Sequence, residues 1–167
     1  RLKKSGIPHR WVVAGKRGWL SEPFYAELAR SPARDAVILD EDVPEDRLAN
    51  LVKHADLVLY PSLYEGFGLP PLEAEALGVP TVTSAVTSMP EVCGEAAAYC
   101  DPEDEASIED AVPSVLDDAA LRRRLIEGGL ENAKRFTWER TAKATLGAYR
   151  RALAPQPASI PGYIRSS

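Results

Sequence analysis

Glu65 and Glu73 stand eight residues apart in the run PSLYEGFGLPPLEAEALG, residues 61–78. Between them lie a turn, Gly66-Phe67-Gly68, and a double proline. The run before the turn is apolar and the run after it has helical character, so the turn opens a helix. The first turn of a helix exposes unpaired N–H groups and a partial positive charge. Gly66 and Gly68 let a ligand approach the backbone closely, which suits an anion such as phosphate. Carboxylates repel phosphate, but they accept hydrogen bonds well from sugar hydroxyls. A ligand with phosphate in the middle and hydroxyl-rich groups at both ends satisfies both demands, and a sugar nucleotide has that layout. On spacing alone a second reading stays open. Glycine turns between strand and helix are ordinary, and the dipole favours a glutamate early in a helix.

The elements that must position these groups alternate. Strands are expected at 10–15 (RWVVAG), 36–40, 56–62, 80–84 and 97–101. Helices are expected at 21–31 with Ser21 as N-cap, at 44–55 from its apolar spacing, at 69–78, and at 88–96 with a Ser88–Glu91 capping box. Beyond residue 101 the chain is helical: 104–117 with Pro113 expected to kink or break it, 119–136, and 137–153 capped by Thr137. Residues 154–167 carry three prolines without periodicity and are expected to be an extended or disordered tail. Alternating strands and helices predict an α/β fold with a doubly wound, mostly parallel sheet and C-terminal helices. Such sheets bind ligands beyond the carboxyl ends of their strands. The candidate walls of a cleft are therefore Gly15, 40–43, 62–68 and 83–86. The opening RLKKSG reads as the end of a helix, so a first βα unit is expected to be missing ahead of it.

The chain's 167 residues suit one domain. A net charge of −5 argues against binding nucleic acid by bulk electrostatics. No apolar run approaches the ~20 residues that span a bilayer. Cys93 and Cys100 lack metal-ligand spacing and read as small buried residues in a reducing, cytoplasmic setting. Asp40-Glu41-Asp42 reads as a solvated acidic turn, not a metal site. His54 reads as packing or surface, Trp138 and Tyr149 as core-facing, and Trp19 as core or cleft rim. Arg122-Arg123-Arg124 reads as a solvated helix face, with contact to acidic lipid as the alternative.

The stretch from Pro61 to Asp104, with GKRGWL (15–20) and RFTWERTAKATLGAYRRAL (135–153), resembles the donor-binding C-terminal domain of retaining GT-B glycosyltransferases of the family-4 type. Within that family it most resembles bacterial members that transfer mannose or a related hexose in polysaccharide assembly. The resemblance implies a Rossmann-like donor domain over residues 1–153. It implies that Glu65 positions the donor sugar at the reacting face, that Gly66 and the amides of Phe67, Gly68 and Leu69 bind sugar or diphosphate, and that Glu73 accepts the ribose hydroxyls. The base would lie near Val43. The Arg and Lys that neutralise the diphosphate in the family belong to the unit expected to be missing. Lys16 and Arg17, after the strand ending at Gly15, stand on the correct edge to supply some of that charge, with a solvated turn as the favoured alternative. It implies no cofactor and no bound metal, with GDP-mannose or a UDP-hexose as donor. A glycan or lipid-linked acceptor would be bound by a missing N-terminal domain at the inner face of the membrane. The isolated chain is then expected to be inactive. Glu75 stands where relatives carry an apolar residue and is expected to face solvent. Two other classes compete with this reading: a non-catalytic nucleotide-sugar or docking module, and a response-regulator-like domain. The second is disfavoured because the acidic cluster follows the wrong strand.

Overall fold

The structure, a computed structural model, describes residues 8–154. RLKKSG and, from residue 155, the proline-rich tail lie outside the described residues. Strand β1 (Trp11–Ala14) pairs in parallel with β2 (Val37–Asp40), Trp11 opposite Val37 and Ala14 opposite Asp40. Helix α1 (Glu22–Arg30) and a 3-10 turn at Arg34–Ala36 connect them. Pro23 fits the first turn of α1, with Glu22 and Arg30 complementing the helix dipole. Helix α2 (Glu45–Lys53) leads to β3 (Val58–Tyr60). From there α3 (Leu69–Ala76), β4 (Thr81–Ser84), α4 (Met89–Cys93) and β5 (Ala98–Cys100) complete a second parallel sheet in the order β3-β4-β5. Helices α5 (Glu105–Leu116), α6 (Ala119–Ala133) and α7 (Trp138–Leu153) follow.

All five strands appear within two residues of the expected bounds, and every observed pairing is parallel, so the doubly wound α/β reading holds. The sheet itself is in two parts, which the sequence did not suggest. β1 and β3 do not pair with each other. Both keep an unpaired edge among the described residues. The segments entering these strands nevertheless meet: His9 Nε2 lies 3.6 Å from Asp56 Oδ2, and Arg122 reaches Asp56 Oδ1 at 3.4 Å. On β1, Trp11 remains 52% exposed and Val12 is exposed.

The core gathers under the second sheet. Val82 of β4 and Cys100 of β5 pack with Ala111 and Val115 of α5 and Leu125 of α6, flanked by Leu57, Leu59, Ile108 and Leu121. Pro113 does not break α5. It removes one backbone N–H, yet Asp117 N–H reaches Pro113 O at 2.8 Å, and burial of Ala111, Val112 and Val115 holds the helix on the sheet. Asp118 caps α6 by accepting from the Ala120 and Leu121 amides at 2.8 and 2.9 Å. Both cysteines are buried and unbridged, as expected. Burial, then neighbouring Glu75, pushes the Cys93 thiol up to about 12.

The chain divides into two compact units, residues 1–134 and 135–167. The first holds both sheets and α1 to α6, and among the described residues the second holds α7. Thr137 caps α7 as expected, accepting from Arg140 N–H at 3.2 Å. Trp138 (84% exposed) and Tyr149 are on the surface, not on a core face, because α7 buries none of its residues.

Candidate functional site

β3 is a short apolar strand that ends at Tyr60, and the chain turns there into the glycine loop. The Tyr60 hydroxyl donates to Glu65 Oε1 at 2.6 Å, and Ser62 Oγ donates to the same oxygen at 3.0 Å. The half-buried Glu65 carboxylate is thereby held in one orientation, and among the described residues its Oε2 takes no hydrogen bond. Burial, then the bond to Glu65 and its charge, pushes the Tyr60 phenol up to about 12, so it stays a donor.

The loop is also tied to the end of β4. Glu65 N–H donates to Thr87 Oγ1 at 3.3 Å. Ser88 Oγ lies 3.1 Å from Glu65 O and 2.9 Å from Phe67 O. Thr87 adopts φ 55°, a left-handed conformation rare for a β-branched residue, which turns its hydroxyl toward the loop. The expected Ser88–Glu91 capping box is therefore absent: the Ser88 hydroxyl serves the loop, and α4 has no side-chain cap. Ser21 likewise donates to Gly18 O at 2.8 Å instead of capping α1.

Gly68 starts α3 with φ 100°. A Cβ there would also run into the end of the Met89 side chain, which would have to shift. Pro70 and Pro71 carry no N–H, and Leu72 N–H is used by Gly68 O. The donors left at the head of α3 therefore belong to the loop residues themselves, which concentrates the positive end of the helix at Gly68 and Leu69. Glu73 sits one turn further along and is exposed. Glu75 is 1% exposed and bonded to Asn132, which corrects the expectation that it faces solvent.

Gly15, Lys16 and Arg17 lie beyond the carboxyl end of β1. With Gly18, Tyr25 and Glu41 they line a cavity of about 260 Å³ that includes none of residues 62–69. Arg17 stacks over the Tyr25 ring at 4.3 Å and pairs with Glu22 at 3.7 Å, while the Tyr25 hydroxyl donates to Glu41. The Glu41 bond also raises the Tyr25 phenol above its ordinary value. Asp40 pairs with Arg47 at 2.6 Å, so two of the three acids at 40–42 are engaged and only Asp42 fits the solvated turn. Val43 follows, half-buried. Trp19 is 91% exposed and so not in the core. Among the described residues no group of three or more His, Cys, Asp or Glu side chains is placed to hold a metal, and no helix is long and apolar enough to cross a membrane.

Glu65, Gly66, Phe67, Gly68 and Leu69 thus come together as one braced loop, with Glu73 on the helix it opens. Of the residues that brace it, Tyr60, Thr87 and Ser88 were not expected in this role, and Ser62 was expected only as part of the cleft wall. Tyr and Ser five and three residues before Glu65 were the available signal. Thr87 and Ser88 act across 22 and 23 residues, beyond any local pattern.

The sequence profile of the glycosyl transferases group 1 family matches residues 1–132. The O-antigen chain mannosyltransferase B of Escherichia coli is 38% identical over 139 residues, covering 83% of this chain and 36% of the relative. A D-inositol 3-phosphate glycosyltransferase of Acidothermus cellulolyticus is 36% identical over 143 residues, covering 84% and 32%. The sucrose-phosphate synthase structure from Thermosynechococcus elongatus superposes with a TM-score of 0.78 at 26% identity, over 90% of this chain and 40% of that one. The chain spans about a third of the length of the curated relatives it matches. The match over most of unit one, the parallel Rossmann-like fold and the glycine loop on α3 agree, and the chain belongs to the glycosyl transferases group 1 family.

Proposed function

We propose that this chain is the donor-binding half of a retaining GT-B glycosyltransferase of the family-4 type. It moves a hexose, mannose in the first instance, from a nucleotide diphosphate sugar to a glycan or lipid-linked acceptor. The observation that carries the reading is the Glu65 carboxylate, clamped through one oxygen by Tyr60 and Ser62 beside a helix-opening glycine turn. A carboxylate fixed in that way presents its other oxygen to sugar hydroxyls without further reorganisation.

In this reading Glu65 orients the hexose at the reacting face, and the amides at the head of α3 stabilise the diphosphate as it leaves and gains charge. Exposed Glu73 takes the ribose hydroxyls. Lys16 and Arg17 add positive charge, Gly15 gives room for close approach, and Val43 lies beside the base. The mannosyltransferase relative supports mannose as the transferred sugar; the donor is then GDP-mannose, with a UDP-hexose as the alternative. The acceptor is held by the remainder of a longer protein, working at the cytoplasmic face of a membrane. The unpaired edges of β1 and β3 support completion of the sheet by a strand of that longer protein.

The test is transfer by the longer protein carrying Glu65→Ala. Turnover should fall by about a hundredfold or more, the scale of a lost transition-state contact, while the unfolding midpoint holds. Full transfer by the variant would overturn the role. Nucleotide-sugar binding with no transfer by the wild-type protein would favour a non-catalytic binding module.

A further inference from the structure

α3 carries a second acid that the donor-site reading does not use. Glu75 follows Glu73 by two positions and is buried at 1% exposure. Its Oε2 accepts from Asn132 Nδ2 of α6 at 2.7 Å, and the same nitrogen donates to Val92 O of α4 at 2.8 Å. One amide group therefore joins three helices. The contact is close because residue 129 of α6 is glycine: a Cβ there would lie 3.1 Å from both Cβ and Cγ of Glu75.

We propose that Glu75 and Asn132 are a positioning pair that fixes the rotation of α3, and with it the direction of Glu73 and the seat of the glycine loop. The inference rests on the donor-site reading above. Two helical positions are about 200° apart around the axis, so turning Glu75 onto α6 turns Glu73 to the opposite side of α3. An apolar residue at position 75 would seal the same interface, but apolar contacts tolerate sliding. A carboxyl–amide bond has one favourable geometry and carries a desolvation cost that an apolar residue avoids. Two of the helices it joins also meet at the site. α3 begins at Gly68, and α4 begins beside Ser88, whose hydroxyl reaches the carbonyls of Glu65 and Phe67. Ser88 holds the frame at the loop end and Asn132 holds it at the far end. Burial on this scale with a dedicated partner is the setting in which polar groups specify register.

The experiment compares this chain with Glu75→Leu and Glu75→Gln by thermal unfolding, amide hydrogen exchange and titration with GDP and UDP. Leu fills the space without an acceptor, whereas Gln keeps one. Glu75→Leu should still unfold cooperatively, while exchange over residues 72–77 quickens and nucleotide affinity falls, each by about tenfold, the scale of one lost hydrogen bond. Exchange in α5 should stay unchanged, and Glu75→Gln should restore both readouts. If Glu75→Leu does not fold, Glu75→Leu/Asn132→Leu removes both polar partners and takes its place. Unchanged α3 exchange, or exchange that quickens equally in α3 and α5, would overturn the proposal. If the wild-type chain binds neither nucleotide, the donor reading fails, and the exchange pattern still decides the positioning role.

Discussion

The Tyr60 hydroxyl and the Glu65 carboxylate share a 2.6 Å hydrogen bond at the carboxyl end of β3. It ties the acid proposed to face the sugar to the last residue of a strand, so the side chain inherits the rigidity of the sheet. Tyr60→Phe removes this donor and leaves Ser62 alone on Oε1. Affinity for a hexose conjugate should fall by about fivefold to tenfold, near 1 kcal/mol, with affinity for the bare nucleoside diphosphate unchanged. Parallel calorimetric titrations of the two ligands check this, and equal losses for both would count against it.

Burial, and after it the same bond, sets a pH dependence. The folded Tyr60 phenol is raised to about 12, against about 10 in an unfolded chain. The folded state therefore favours the protonated phenol. That contribution to stability is fully present below pH ~10 and is lost as pH rises through the folded value. A phenolate absorbance titration should show Tyr60 and Tyr99, both raised to about 12, ionising late, and the late step should shrink by one tyrosine in Tyr60→Phe. A wild-type curve identical to that of the variant, apart from one ordinary tyrosine, would refute the assignment.

Ser88→Ala tests whether the loop is held from β4's side. The hydroxyl reaches two carbonyls and caps nothing. Stability should drop by about 1 kcal/mol, and amide exchange should quicken at residues 65–69 more than within α4. A change confined to α4 would restore the capping-box reading.

Gly68→Ala combines a left-handed φ with a collision at Met89. The expected loss is about 2–3 kcal/mol by urea denaturation. Adding Met89→Ala should relieve the steric part and leave the backbone part. A double variant whose loss is the plain sum of the two singles would show that the residues do not touch.

Much of this site was legible because its signals are local. The acid–turn–acid spacing, the glycine at the head of α3 and the short apolar strands need only neighbouring residues to be read. What escaped depends on partners far along the chain. Glu75 reads as a surface acid until Asn132, 57 residues later, supplies its donor. Ser88 precedes Glu91 in a capping pattern, yet two carbonyls from the preceding loop compete for its hydroxyl and win. Pro113 stays helical because burial of its neighbours outweighs one lost bond. The division into two sheets is a matter of which strands the crossovers bring together, and no short window of sequence carries that.

The central claim is that this chain holds a nucleotide-sugar donor site with Glu73 on the ribose. The most direct measurement is calorimetric titration of the chain with GDP, UDP and their hexose conjugates, repeated with Glu73→Ala. The expected result is binding to one nucleotide at about 1 mM or tighter, near −4 kcal/mol, and its loss in the variant. No binding to any of the four ligands, or binding that survives Glu73→Ala unchanged, would contradict the claim.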